Sequence, residues 1–171
     1  MLLDPVNAEA RLLLAFAFFY SDRLLEAKVE IRRMIELAPK ANVAHLVACA
    51  ILLADGRPEE AFAAAQQEPE RMHRLEALAL VEFARGRRSE SDAALAALKN
   101  EFAESCPYQI AEVCGYRREL DDAFAWLEHA WEIRDPGVPL IKVSPMLRNL
   151  HLDGRWPGLL RKIGLHDDQL K

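Results

Sequence analysis

The hydrophobic pattern along the chain is helical from near the N-terminus to about residue 134. Apolar residues recur every three to four positions, and no run of useful length alternates with period two, so the pattern predicts α-helices and no sheet. Pro39 and Pro136 follow helices that they cannot continue, whereas Pro58 and Pro107 suit a first helical turn, where the missing N–H has no partner to lose. Helices are expected at residues 6–20, 24–37, 42–54, 58–67, 70–85, 90–103, 107–116 and 120–134.

These helices form pairs, because one sequence phrase joins the two members of each pair and recurs along the chain. An apolar stretch ends in a short turn, and a small residue soon afterwards opens the next apolar stretch. The small residues are Ala27, Ala61, Ser91 and Ala123, which are separated by 34, 30 and 32 residues. A period in the low thirties built from paired helices is typical of a helical solenoid. We therefore predict an all-α fold, a right-handed α-solenoid of about four helical hairpins with a short C-terminal helical cap.

The repeated helical pattern ends after residue 137. We assign residues 1–137 to helical repeats and residues 138–171 to a capping segment of the same domain, because the last repeat of a solenoid exposes an apolar face that must be covered. The elements expected in the segment are an extended or irregular run over 138–143, a short helix opened by Ser144 and Pro145 and ending near Leu150, a turn over 151–158 and a last helix Leu159–Ile163 that stops at Gly164.

The capping segment contains apolar residues that are expected to anchor it. Trp126 and Trp131 lie in the last predicted repeat, where they suit a packed end of the solenoid. The anchors expected in the segment are Ile141, Val143, Met146, Leu147, Leu150, Trp156 and Leu160.

Composition limits the classes of function. The 171 residues are 51% apolar with a net charge of −5, which disfavours both disorder and a nucleic-acid surface. Three cysteines, Cys49, Cys106 and Cys114, include no CxxC pair and are interpreted as reduced core thiols, which favours the cytoplasm. Asp4 and Glu9 interrupt the apolar N-terminus, so we expect neither a targeting segment nor a membrane span.

The repeated phrase resembles the tetratricopeptide (TPR) repeat. The first unit, Asn7–Pro39, has a small residue in its first helix, Ala27 opening its second helix and a proline at its end. Later units keep Gly56 or Gly86 in the turn, whereas the fourth has Arg118 where glycine is expected. The resemblance implies a solenoid of helical hairpins whose first helices line a concave binding surface.

The end of the chain is similar to a C-terminal segment found in bacterial TPR proteins. The similarity covers Tyr108–Leu165, including the phrases YQIAEVCGYRRE, RDPG and LLRKIGL. In those proteins the segment often follows a DNA-binding, nucleotide-cyclase or kinase domain, and none of these domains is recognisable in this sequence. Ser144 replaces an aspartate of the usual pattern, and Gly154 and Trp156 alter another of its phrases.

The sequence offers no constellation typical of an active site. It has no Walker loop, no GxGxxG, no HExxH and no GxSxG. His45 and Cys49 lie four residues apart on one helical face, but without a second ligand pair a structural role is favoured over zinc. Paired carboxylates such as Asp121 and Asp122 suit helix N-termini. We therefore expect no enzymatic activity, no catalytic residue, no metal site and no cofactor.

A partner surface follows from helical geometry once Leu14, Ala15 and Phe18 are assigned to packing. The remaining large side chains on the first helices are then expected to face the groove and bind a partner. These residues are Leu12, Phe16, Phe19, Tyr20, Leu46, Leu53, Leu80, Phe83, Tyr108 and Tyr116, with Glu112 beside the last two. Burial of Phe16, Phe19 and Tyr20 by an adjoining domain or a second copy is a competing interpretation.

The chemistry of this groove disfavours one mode of binding that the TPR resemblance brings to mind. The clamp that some TPR proteins use for a terminal peptide carboxylate needs lysine, arginine and asparagine on first helices, and the matching positions here include Leu12, Phe16 and Val43. An apolar helix or an extended peptide suits the groove better.

Two functional hypotheses remain. The first is a cytoplasmic, non-enzymatic scaffold or adaptor that binds a protein, a peptide or a second copy of the chain. The alternative is a sensory or autoinhibitory C-terminal arm of a larger bacterial transcriptional regulator, cyclase or kinase. Neither interpretation involves nucleic acid or membrane as the partner of this segment.

Overall fold

The computed structural model describes residues 7–170, and across that range it is helical and contains no strand. Two short 3-10 helices, Val138–Leu140 and Pro145–Leu150, interrupt the C-terminal part. The α-helices are α1 (Ala8–Tyr20), α2 (Leu24–Leu37), α3 (Ala44–Ala54), α4 (Pro58–Gln67), α5 (Arg71–Ala84), α6 (Arg88–Phe102), α7 (Pro107–Tyr116), α8 (Leu120–Ile133) and α9 (Trp156–Ile163).

The predicted helices up to residue 134 are confirmed within one or two residues at each end. The start expected at residue 6 lies outside the described residues, and α1 begins after Asn7, whose side-chain oxygen accepts a hydrogen bond from the backbone N–H of Ala10. Two serines that stand near predicted helix starts, Ser89 and Ser105, are plausible N-caps from the sequence but do not occupy the cap position. Ser89 lies inside the first turn of α6, and α7 follows Cys106, which makes no side-chain cap. The hydroxyl of Ser105 instead donates to the carbonyl oxygen of Phe102.

The described chain divides into two compact units within α6, where the first unit ends at Ala94 and the second begins at Leu95. The predicted boundary at residues 137 and 138 lies inside the second unit.

Helix α3 occupies the centre of the first unit. It packs against α1, α2, α4 and α5, and every residue from Ala44 to Ile51 is buried. Because α3 is apolar on all sides, it can be stable only when other helices surround it. The helices of this unit therefore pack in neighbouring pairs, α1 with α2 and α3 with α4, around an almost wholly buried helix.

The turns that join paired helices share one backbone conformation. The residues Asp22, Gly56, Gly86 and Arg118 all have φ between +60° and +75°. In each turn the next residue donates its N–H back to a carbonyl near the end of the first helix, as Arg23 does to Phe18 at 2.8 Å and Glu119 does to Cys114 at 2.9 Å. This is the left-handed helix termination that glycine favours, and here it recurs at four related positions.

A buried small residue follows each of these turns by five positions. Ala27, Ala61, Ser91 and Ala123 are all fully buried, which is the burial that tight helix–helix contacts require. Ser91 stands where the other turns have alanine, and its hydroxyl donates to the carbonyl oxygen of Ala79 at 2.6 Å. Serine is tolerated at this position because the buried hydroxyl has an acceptor on the preceding helix.

The C-terminal segment packs against α7 and α8 within the second unit. The 3-10 helix Pro145–Leu150 lies against α7, so closely that a Cβ added at Gly115 would come within 2.9 Å of a Leu147 side-chain carbon. Burial is confirmed for most of the predicted anchors, which are Ile141, Met146, Leu147, Leu150, Trp156 and Leu160. Val143 is exposed, so its predicted anchoring role is wrong.

Two further expectations for this segment and one for α8 need correction. Residues 138–140 form a 3-10 helix, where an extended or irregular run was expected. The last helix begins at Trp156 instead of Leu159, because Pro157 fits its first turn. Trp131 is 37% exposed and Trp126 is half-buried, so neither is the packed core residue that was predicted. Ser144 caps the second 3-10 helix as expected, accepting from Met146.

Candidate functional site

The ten residues predicted to bind a partner divide into two groups by burial. Five of them belong to the core of their units and have almost no accessible side-chain surface: Phe19, Leu46, Leu53, Leu80 and Tyr108. The other five are half-buried and offer some surface: Leu12, Phe16, Tyr20, Phe83 and Tyr116. Binding by the ten residues stays a prediction, and only the second group has surface that a partner could contact without rearrangement.

An aromatic pair lies on α1 in the first unit. The rings of Phe16 and Tyr20 stack with centroids 5.8 Å apart and planes 12° from parallel, and the buried Phe19 ring lies 5.9 Å from Tyr20. Residues four apart share a face of a helix, which brings the two half-buried rings together. Stacked rings with their outer surface in water form a rigid apolar contact surface of the kind found at protein interfaces.

The other two accessible aromatic residues of the predicted set are Phe83 on α5 and Tyr116 on α7. In the first unit, the guanidinium of Arg88 lies 5.7 Å from the centroid of the Phe83 ring. In the second unit, Tyr116 ends α7, and its backbone carbonyl accepts a hydrogen bond from the Asn149 side chain. Each residue is therefore half covered by its own unit.

The first unit contains an apolar groove that the sequence analysis did not identify. It lies between α2, α3 and α4 and encloses about 310 Å³. Its rim carries ion pairs, including Lys28 with Asp55 at 2.8 Å and Arg57 with Glu60 at 2.5 Å. Its apolar lining consists of Ile31, Ile35, Ala48, Ile51, Leu52 and Ala64. The sequence signal for this groove is the pair Ile31 and Ile35, four residues apart on α2. The pair lies on a second helix, whereas the predicted surface consists of residues on first helices.

A side chain from outside α3 supports the start of that helix. Val43 precedes α3 with φ of +67°, and no cap comes from its own side chain. The buried carboxylate of Glu68 accepts instead from the backbone N–H groups of Val43 at 3.2 Å and Leu46 at 3.1 Å. Glu68 thereby satisfies N–H groups that the first turn of a helix leaves without helical partners.

The second unit has a cluster of buried polar groups at α7. Glu112 accepts hydrogen bonds from the hydroxyl of Tyr108 at 2.8 Å and from the hydroxyl of Ser144 at 2.5 Å. Asp135 accepts from the backbone N–H of Tyr108 at 3.3 Å and of Gly137 at 2.7 Å. All four side chains are buried. The cluster therefore joins α7 to both the loop after α8 and the start of the second 3-10 helix.

Burial dominates the electrostatics of this cluster. Desolvation raises the pKa of Glu112 from 4.5 to about 7, and the charge of Asp135 acts in the same direction. The hydrogen bonds from Ser144 and Tyr108 lower that pKa, because they stabilise the ionised carboxylate. Glu112 was predicted to line a groove, but it is buried, and its titration range includes neutral pH.

Three potential metal ligands lie together elsewhere in the second unit. Single ligand atoms of Cys114, Glu119 and Asp122 lie within 4.8 Å of one another. Glu119 already pairs with Arg117 at 2.8 Å, Asp122 pairs with Lys99 at 3.3 Å, and burial raises the pKa of the Cys114 thiol to about 11. A protonated thiol and carboxylates that already pair with cations suit a metal ion poorly.

The three cysteines are buried residues of the core. All three cysteines are buried and reduced, and desolvation raises the pKa of Cys49 above its ordinary value. His45 and Cys49 contact different groups, His45 the carbonyl oxygen of Pro39 at 3.0 Å and Cys49 that of Ala77 at 3.9 Å. Buried thiols of this kind are poor nucleophiles and behave as small apolar residues.

Comparison of the chain with family models, with curated proteins and with solved structures finds no match in any of the three. The TPR resemblance thus stays a prediction from the sequence. Among the described residues, no helix combines the length and the apolar character needed to cross a bilayer.

Proposed function

We propose that the chain is a non-enzymatic protein–protein interaction module, built as a TPR-like α-solenoid of about four helical hairpins with a C-terminal cap. The observation that carries the proposal is the recurrence of one turn. Asp22, Gly56, Gly86 and Arg118 share the left-handed conformation, and each precedes a fully buried small residue by five positions. Repeats of one helical hairpin stack side by side and create an extended surface for a partner.

The contacts among the first five helices support the stacked arrangement. Helix α3 contacts the second helix of the preceding pair, α2, and also the first helices α1 and α5 on either side. Helix α4 in turn contacts α5. This is the neighbour-to-neighbour contact expected when successive hairpins stack in register.

The proposed contact surface in the first unit is the α1 face that carries Leu12, Phe16 and Tyr20, with Phe83 on α5 as a second contact residue. The stacked pair of Phe16 and Tyr20 supplies rigid apolar area, and Leu12 lies one helical turn before Phe16 on the same face. Aromatic residues of this kind carry much of the energy at interfaces. The partner is a protein or peptide that presents an apolar helix or strand, or a second copy of the chain.

Paired substitutions test the proposal. The double variant Phe16→Glu with Phe83→Glu places charge in the proposed surface and is expected to abolish association while circular dichroism shows unchanged helical content. The matched control is Leu25→Glu, because Leu25 is 72% exposed on α2 of the same unit and lies beside Phe18, on the side of α1 away from Phe16. Sedimentation velocity reports self-association, and affinity capture from the source cell reports a foreign partner.

The outcomes separate the two kinds of partner. Loss of a dimer in the double variant identifies a second copy, and loss of a discrete captured protein identifies a foreign partner. If the double variant and Leu25→Glu behave alike, either both binding or both failing to bind, the proposed face is wrong.

A further inference from the structure

The buried cluster at α7 is an unusual way to attach a terminal segment. Glu112, Tyr108, Asp135 and Ser144 are all buried in the second unit, and two of them are carboxylic acids. Burying two acids close together is unfavourable when both are ionised, because desolvation and mutual repulsion both disfavour the charged forms. The protonation state of the cluster therefore affects how firmly its parts hold together.

The geometry shows which parts those are. Glu112 lies on α7 and receives the hydroxyl of Ser144, which stands 32 residues later and caps the 3-10 helix Pro145–Leu150. Asp135 lies in the loop after α8 and caps the first turn of α7 through the N–H of Tyr108. The segment from Asp135 to Leu150 is thus joined to α7 by buried hydrogen bonds at its first residue, Asp135, and at Ser144.

Three groups act on Glu112, one from its own helix and one from each of two neighbouring elements. Tyr108 comes from α7 itself, Ser144 from the start of the second 3-10 helix, and Asp135 from the loop after α8. The two hydroxyls stabilise the ionised form of Glu112, while burial and the charge of Asp135 destabilise it. Burial is the largest of these effects, so the closed arrangement favours the protonated form.

We propose that this cluster is a pH-dependent latch, which holds the segment from Asp135 to Leu150 against α7 while Glu112 is protonated and loosens it when Glu112 ionises. An opened segment exposes Glu112 to water, where the carboxylate ionises at its ordinary pKa. Rising pH consequently favours the open form across the interval between the ordinary pKa of 4.5 and the closed-state pKa of about 7.

Hydrogen exchange of the full chain, followed by mass spectrometry of peptides covering residues 138–150, measures the opening directly. Between about pH 5.5 and about pH 8, after correction for intrinsic exchange, the opening equilibrium of the unmodified chain is expected to rise roughly 10- to 30-fold. Glu112→Gln keeps an acceptor for both hydroxyls and cannot ionise, so its opening equilibrium should not change over the same interval. An equal rise in both proteins would overturn the latch.

A second pair of variants keeps the test informative if Glu112→Gln does not fold. Asp135→Asn removes a charge that raises the pKa of Glu112, so it should move the midpoint of opening to lower pH. Ser144→Ala removes a hydrogen bond that lowers the same pKa, so it should move the midpoint to higher pH. Both variants weaken the attachment of the segment to α7, yet the latch predicts that the midpoint of opening moves to lower pH in Asp135→Asn and to higher pH in Ser144→Ala. Shifts in the same direction would contradict it. The readout needs no partner, so the result is independent of the proposed function.

Discussion

Gly137 lies against the aromatic ring of Tyr108, so closely that no other residue fits. A Cβ placed on Gly137 would come within 2.3 Å of two ring carbons of Tyr108. Tyr108 also donates its backbone N–H to Asp135 and its hydroxyl to Glu112. One tyrosine on α7 thus fixes the loop after α8 by packing and by hydrogen bonding together.

Gly137→Ala should destabilise the second unit because the added methyl group cannot avoid the Tyr108 ring without a backbone shift. We expect a loss of about 1–3 kcal/mol in the free energy of unfolding, measured by urea denaturation. The matched control is Gly158→Ala, in the first turn of α9, where an added Cβ meets nothing within 4 Å. The control should be neutral or slightly stabilising. Equal effects of the two substitutions would show that the contact with Tyr108 is not as close as described.

Ala123→Leu tests the tight contact after the fourth turn. Ala123 is fully buried, so a larger side chain should overpack the contact and cost about 1–3 kcal/mol of stability. Ala125→Leu on the same helix is the control, since Ala125 is exposed. A thermal melt that is unchanged by Ala123→Leu but altered by Ala125→Leu would mean that the assigned helical face is reversed.

Arg118→Gly should stabilise the chain, which is the opposite of the usual effect of introducing glycine. Arg118 is exposed and has φ of +62°, a conformation that costs a residue with a Cβ about 1–2 kcal/mol. After the entropy of glycine in the unfolded chain is subtracted, a gain of about 0.5–1 kcal/mol is expected. Gly86→Ala is the reciprocal test, because Gly86 has φ of +75° in the equivalent turn. It should lose stability, and a gain there would contradict the shared conformation.

Glu112→Gln should change how stability depends on pH. The pKa of Glu112 is raised in the folded protein, so its contribution to stability is fully present below pH 4.5 and is lost as pH rises through about 7. Lys28 lowers the pKa of Asp55 and Lys142 lowers that of Asp167, which makes stability depend on pH in the opposite direction at acidic pH. The unmodified chain and Glu112→Gln share this dependence, so it does not affect the difference between them. Urea denaturation across this range should show that the free energy of unfolding of Glu112→Gln increases relative to that of the unmodified chain as pH rises. A constant difference would mean that Glu112 ionises normally in the folded protein.

Local chemistry explains why so much of the helical framework could be predicted. Prolines mark the end of α2 and the starts of α4 and α7, and the spacing of small residues located the four related turns. Arg118 illustrates the strength of the pattern, because its turn adopts the left-handed conformation without the expected glycine. The last helix was misjudged because Trp156-Pro157-Gly158 reads as a turn, although proline is compatible with a first helical turn.

The site was harder to predict because it depends on contacts between distant residues. Helical register placed Tyr108 and Glu112 on one face, but it could not show that Ser144 reaches Glu112 or that Gly137 packs on Tyr108. Amphipathic analysis also treats a helix as having one buried face. Helix α3 is surrounded on all sides, so Leu46 and Leu53, assigned to an open face, are core residues.

Site-specific photo-cross-linking tests the proposed interaction surface most directly. A photoreactive phenylalanine analogue replaces Phe16 in one protein and the exposed Leu25 of α2 in another, and both are irradiated in the source cell. The account predicts a discrete cross-linked product from position 16, with a second copy of the chain or one foreign protein, and none from position 25. Products from position 25 but not from position 16, or none from either, would contradict the claim that the α1 face bearing Phe16 and Tyr20 binds a protein.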